Sequence, residues 1–153
     1  MNVDFKLSPE ALALAQADSK PAILEQLAQR FALAYGLDAG LVLEALKERE
    51  TLGSTGFGRG VALPHARIEG INRPVAALLK LEAPVDFAAA DDLPVDLVIG
   101  LLSPVNAGAT HLHALAAISR MVRDDATHEA LCEAGSAEAL YVLLADATDR
   151  DAA

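Results

Sequence analysis

Residues 52–60, Leu-Gly-Ser-Thr-Gly-Phe-Gly-Arg-Gly, hold four glycines in nine positions. Glycine loses more backbone freedom on folding than any other residue, so no stable helix runs through this stretch. The break divides the chain into regions of different periodicity. Before it the apolar spacing is helical. Ser19 is a candidate cap with Pro21 in the first turn, Ile23, Leu24, Leu27, Phe31 and Ala34 form one face, and Gly36 stops the helix. Asp38 can cap a second helix through Leu41, Val42, Ala45 and Leu46 to about Glu50. Further upstream, Ala11–Ala15 admits a short strand or a helix. After the break come three short, turn-bounded apolar segments, Val61–Leu63, Val75–Leu81 and Val95–Leu102, each suited to a buried strand. The last third returns to helices: Thr110–Val122, then Asp125–Ala134 ended by Gly135, then a third opened by Ser136 and running through Tyr141 and Leu144. About five helices and four or five strands predict an α/β (α+β) domain with helices covering a mixed sheet of about five strands. Long helices on both sides of the strand block disfavour a strictly alternating doubly wound order.

The chain of 153 residues suits a single domain over 1–153, with no internal repeat or linker. Only the polar end after Ala147 reads as disordered. A net charge of -10 argues against nucleic-acid binding, which needs clustered Lys and Arg. With no Trp and 4% aromatic residues, recognition by ring stacking is also disfavoured. A single cysteine, Cys132, permits no internal disulfide and points to a reducing cytoplasm. Asp4, Lys6 and Glu10 fall where a signal peptide would need an apolar run, and no apolar stretch reaches membrane-spanning length.

Chemistry concentrates between Lys47 and Arg73. Five cations (Lys47, Arg49, Arg59, Arg67, Arg73) stand against three acids (Glu48, Glu50, Glu69), a surplus of +2 that leaves -12 for the rest of the chain. Cations around glycine-exposed backbone suit an anionic ligand such as phosphate. His65 lies among them. A neutral imidazole is a nucleophile near neutral pH, and phosphoryl transfer demands positioning and donors for the equatorial oxygens. Gly53, Gly56, Gly58 and Gly60 open the backbone to such oxygens, Ser54 and Thr55 add hydroxyls, and Arg49 adds a cationic fork. Pro64 restricts Leu63 to an extended conformation and so fixes how His65 leaves its strand. Taken singly, each piece has an ordinary structural reading. The glycines match neither the dinucleotide fingerprint nor a P-loop, because no helix and no Lys-Ser/Thr pair follows.

A second cluster is Thr110-His111-Leu112-His113. With Thr110 as N-cap, His111 falls in a first helical turn, where free N–H groups favour an anion. Residues two apart on a helix point about 200° apart, so His111 and His113 do not serve one site. His111 shares a face with Leu115 and Ile118. His113 lies with Ala116, Ala117 and Arg120 and reads as a packed structural histidine; His128 reads as surface. A three-histidine metal site of His65, His111 and His113 is disfavoured by the same geometry.

The run Arg49-Glu50-x-x-Gly53-Ser54-Thr55-x-x-Gly58-x-Gly60-x-x-x-Pro64-His65 resembles the active-site segment of type-2 enzyme IIA domains of the bacterial phosphotransferase system, the fructose/mannitol class. Leu97–Pro104 with Thr110-His111-Leu112-His113 resembles the second segment of that family. The likeness spans about Leu7 to Ala145 and is greatest for the stand-alone nitrogen-regulatory branch, enzyme IIA-Ntr. It implies a mixed sheet sandwiched between helices. It implies that His65 is phosphorylated on Nε2, with Arg49 and His111 holding the phosphoryl group; Ser54, Thr55, Gly56 and Gly58 line the phosphate site on the residue chemistry given above. The implied donor is a histidine phosphocarrier of the HPr/NPr type, itself charged from phosphoenolpyruvate by an enzyme I homologue. The partners would be regulatory targets in potassium transport or stress response, bound in one phosphorylation state only, or a sugar-specific IIB domain that accepts the phosphate; the lack of a fused permease favours the former. No metal or organic cofactor is implied. Ala66 stands where the family often has glycine, and Arg59 adds a charge inside the glycine loop.

Overall fold

A computed structural model describes residues 4–152 of the chain. Its elements run β1 (Lys6–Ala15), α1 (Lys20–Tyr35), α2 (Ala39–Thr51), β2 (Gly56–Gly58), β3 (Val61–Ala62), β4 (His65–Ile68), β5 (Val75–Val85), β6 (Val95–Pro104), α3 (Ala109–Arg123), α4 (Asp125–Glu133) and α5 (Ala137–Ala152). The helix signals upstream of the glycine break act as expected. The Ser19 hydroxyl accepts from the Ala22 amide at 3.2 Å, and the Asp38 carboxylate accepts from the Leu41 amide at 3.1 Å. Gly36 closes α1 in the left-handed region, at φ 68°, which costs glycine nothing. Pairing settles the ambiguous Ala11–Ala15 as strand: Leu12 stands opposite Leu78 and Ala15 opposite Leu81 in a parallel ladder.

The sheet has six strands in the order β1-β5-β6-β3-β2, with β4 also on β6, one more than expected. The three short strands, β2, β3 and β4, are set by their neighbours. β2 is a hairpin arm of three residues, Gly-Phe-Gly, whose Gly56 carbonyl accepts from the Ala90 amide at 2.9 Å. β3 and β4 follow one another along the same edge of β6, at Leu97–Val98 and at Leu101–Pro104. Pro64, lacking an N–H, sits in the gap between them, but its carbonyl accepts from the Leu101 amide at 3.0 Å. His65 therefore begins a strand rather than leaving one, which corrects the sequence reading.

β5 and β6 pair antiparallel in the middle of the sheet, and Val75–Leu79 and Leu97–Leu102 are buried without a break. A strand covered on both faces has no polar alternation, which is why these segments read as continuous apolar runs. On one face α1 presses so close that a Cβ on Gly100 would meet Leu27 Cδ2 and Phe31 Cε2 at 2.8 Å each. On the other, Lys80 Nζ donates to the Ala134 carbonyl at 2.7 Å and to that of Cys132, holding the end of α4. The sheet is thus sandwiched between helices. Two helix ends depart from expectation. α3 starts at Ala109 behind Gly108, with no side-chain cap, so Thr110 lies inside the first turn. The polar end after Ala147, read as disordered, continues α5 to Ala152.

Candidate functional site

The break at Pro64 gives His65 its setting. Leu63 O lies 2.8 Å from His65 Nδ1, and a carbonyl only accepts, so Nδ1 carries the ring proton. Arg49, in the last turn of α2, donates from Nε to His65 Nε2 at 3.3 Å. Nε2 therefore presents a lone pair, next to a guanidinium. Burial pushes the His65 pKa below its usual 6.5, aided by Arg49 and Arg67 and opposed by the Leu63 hydrogen bond and Glu50. The ring is neutral at physiological pH, the state in which Nε2 is a nucleophile.

Arg49 is itself anchored: its Nη1 donates to the Gly53 carbonyl at 2.9 Å. The turn bearing Gly53 is held by Glu50. Its carboxylate, 6% exposed, accepts from the Thr55 amide at 3.0 Å and the Thr55 hydroxyl, and it meets Lys20 Nζ at 2.8 Å. Lys20 also stands over the Phe87 ring, 4.6 Å from its centroid. Glu50, which enters the sequence only as a helix-end acid and a motif residue, is a buried clamp joining α1, α2 and the glycine loop.

The second histidine meets the first. The ring centroids of His65 and His111 are 5.6 Å apart. His111 shares its buried face with Ile118, as the helical spacing predicts, and burial, with the charges of Arg67 and His65, lowers its pKa to about 4. His111 Nδ1 lies 2.6 Å from the hydroxyl of Ser103, which is fully buried at the end of β6. His113, expected to be packed, is exposed on the solvent side of α3. The abundant alanines of α3 hid which side faces inward. His128, expected at the surface, is half-buried, with an unpartnered Nδ1.

The loop residues read as phosphate donors are bonded within the protein. Ser54 Oγ donates to the Phe87 carbonyl at 2.7 Å and accepts from the Gly56 amide at 3.1 Å, and the Thr55 hydroxyl faces Glu50. Gly58 backs onto Asp91, whose Oδ2 would lie 3.1 Å from a Cβ there. Arg59 points away from His65: its guanidinium donates to the Arg123 carbonyl at 3.2 Å and pairs with Asp125. Ser103, Lys20 and the specific use of Arg67 beside both histidines were not legible in the sequence. Only the register that sets Arg67 opposite Ser103 and His65 opposite Leu101 brings them together. Among the described residues, no group of three His, Cys, Asp or Glu side chains could hold a metal ion.

The site is thus an uncharged imidazole with its Nε2 lone pair beside a guanidinium and a second imidazole within reach, on a mixed sheet between helices. The family model for the phosphoenolpyruvate-dependent sugar phosphotransferase system, EIIA 2, matches residues 7–147, and the chain belongs to that family. The chain is similar to the nitrogen regulatory protein of Pseudomonas aeruginosa, 45% identical over 84% of each chain. It is also similar to that of Bradyrhizobium diazoefficiens, 40% identical over 95% of each. The crystal structure of nitrogen regulatory protein IIA-Ntr from Neisseria meningitidis superposes with a TM-score of 0.83 at 33% identity, covering 90% of this chain and 95% of that one.

Proposed function

We propose that this protein accepts a phosphoryl group on His65 Nε2 and holds it as a reversible regulatory signal. The observation that carries the reading is the fixed tautomer of His65: proton on Nδ1, lone pair on Nε2, guanidinium alongside. The donor is a phosphohistidine on a carrier of the HPr/NPr type. As the P–N bond to the donor breaks, its electron pair returns to the donor imidazole, and the His65 Nε2 lone pair forms the new N–P bond. His65 keeps its Nδ1 proton, and the Leu63 carbonyl stabilises the positive character the ring gains. The Arg49 Nε–H, which donates to Nε2 beforehand, turns to donate to the phosphoryl oxygens, and neutral His111 supplies a further donor. Ser54, Thr55, Gly56 and Gly58 act by shaping the loop that holds Gly53 under Arg49.

A protein donor fits the rim of the site. Leu52, 82% exposed, follows Arg49, and Leu112, 63% exposed, follows His111. Such apolar residues beside a reactive centre suit a docking protein more than a small molecule. A phosphoenolpyruvate-driven donor chain supports a cytoplasmic setting. Separately, no helix of the described residues is long and apolar enough to cross a membrane. The relatives named nitrogen regulatory protein favour a signalling role. Phosphorylation adds a charge of about -2 to this cationic face and so can switch binding of a target in potassium transport or stress response. The family's sugar phosphotransferase description favours the second reading, in which the group passes to a sugar-specific IIB domain.

Incubation with enzyme I, its phosphocarrier and labelled phosphoenolpyruvate tests the assignment. Label enters wild type and not His65→Ala; equal labelling of both overturns it. Rapid discharge of the labelled protein onto a IIB domain would select the sugar-transfer reading over the regulatory one.

A further inference from the structure

Ser103, next to last in the central strand β6, is fully buried and places its Oγ 2.6 Å from His111 Nδ1. A hydroxyl both donates and accepts, so distance alone does not say which atom carries the proton between them. Burial decides it. Among the described residues His111 Nδ1 is the sole hydrogen-bond partner of the Ser103 hydroxyl. If Nδ1 were the donor, the serine O–H would have no acceptor in a site closed to water, at a cost of about 1–3 kcal/mol. The arrangement that satisfies both groups has Ser103 donating to a bare Nδ1, which puts the histidine proton on Nε2.

We infer that Ser103 is a positioning residue for phosphoryl transfer: it locks His111 in the Nε2–H tautomer, so that a neutral His111 offers an N–H, and not a lone pair, to the phosphoryl group on His65. The two imidazoles then carry opposite tautomers for opposite tasks. In His65 the Leu63 carbonyl draws the proton to Nδ1 and bares Nε2 for attack. In His111 the Ser103 hydroxyl fills Nδ1 and leaves Nε2 as the one nitrogen free to serve the transferring group. The wrong tautomer at His111 would aim a lone pair at phosphoryl oxygens, which repels them. The neighbouring charges act in the same direction. Arg67, opposite Ser103 on β4, opposes protonation of His111, so its donor capacity at neutral pH rests on the tautomer and not on an imidazolium.

The inference rests on the reading of His65 as acceptor, and its first test does not need that reading. Long-range ¹H–¹⁵N spectra of the imidazoles in the unphosphorylated protein at neutral pH report each tautomer directly. The expected wild-type spectrum has His65 protonated on Nδ1 and His111 on Nε2. In Ser103→Ala, both tautomers of His111 are populated while His65 is unchanged. The second test is transfer from the phosphorylated carrier. The maximal rate for Ser103→Ala falls on the order of 10-fold, as for other residues that orient a functional histidine, with the KM for the carrier unchanged. A wild-type His111 protonated on Nδ1 overturns the inference without any variant. So does a Ser103→Ala protein with an unaltered His111 tautomer or a rate within about twofold of wild type. Failure of the His65 assignment would show instead as label in His65→Ala, with the spectrum as expected.

Discussion

Arg49 and Arg59 stand at the two ends of one glycine-rich segment and count equally toward its positive charge. Arg49 is held by the Gly53 carbonyl with its Nε on His65. Arg59 turns the other way, at φ 61° between Gly58 and Gly60, and clasps the end of α3 through the Arg123 carbonyl and Asp125 at the start of α4. The β2–β3 hairpin explains the difference. It carries Arg59 in its turn and seats the Gly60 carbonyl under the amide of Leu97, whereas His65 pairs with Leu101. Four residues along a strand separate those points by about 13 Å. A charge surplus in the sequence is therefore one number, which the fold divides between a site and a helix junction.

The division can be broken experimentally. Arg49→Lys loses the planar fork that reaches Gly53 and His65 together, and phosphoryl transfer should fall on the order of 10²-fold with little change in melting temperature. A rate within about twofold of wild type would place Arg49 with Arg59 as structural. Glu50→Gln removes the charge that answers Lys20 and weakens the hold on Thr55. Denaturant unfolding should show a loss of about 2 kcal/mol, below the cost of a fully buried pair because Lys20 retains some solvent. Transfer should slow too, since the turn under Arg49 loosens; unfolding unchanged by the substitution would refute the clamp.

The two histidines contribute a pH signature. Both have folded pKa values below 6.5, His111 down to about 4, so as pH falls from 6.5 toward 4 the unfolded chain binds protons that the native state refuses. Stability should drop across that window, and His111→Gln should flatten the slope; an identical slope in the variant would count against a neutral buried His111. The smallest effect belongs to Arg59→Ala. Its partner Asp125 is 90% exposed, so the ion pair is worth at most about 1 kcal/mol, and transfer should stay within about twofold of wild type. A large loss of transfer would return Arg59 to the phosphate site.

Much was legible because it is local. The Ser19 and Asp38 caps, the Gly36 stop and the buried runs of β5 and β6 depend on neighbours within a few residues. His65, Arg49 and His111 stood out as chemistry-bearing types in a recognisable spacing. What failed to show was non-local. β2 and β4 have too few residues for any period, and the inward side of α3 is masked by alanines that suit either face. The hydroxyls of Ser54 and Thr55 looked free because their acceptors, Phe87 and Glu50, are reached only after the loop closes.

By itself, then, the sequence determined where α1 and α2 begin, which strand segments are buried, and which histidines and arginine stand out as chemistry-bearing. Each of these follows from backbone propensity, apolar periodicity or side-chain chemistry. Tertiary structure alone decided the protonation of the two imidazoles, the company of Ser103 and Arg67, and the separate uses of Arg49 and Arg59. Those depend on which backbone carbonyl or hydroxyl lies within 3 Å of a ring nitrogen, a matter of strand register and hairpin direction that no local stretch of residues encodes.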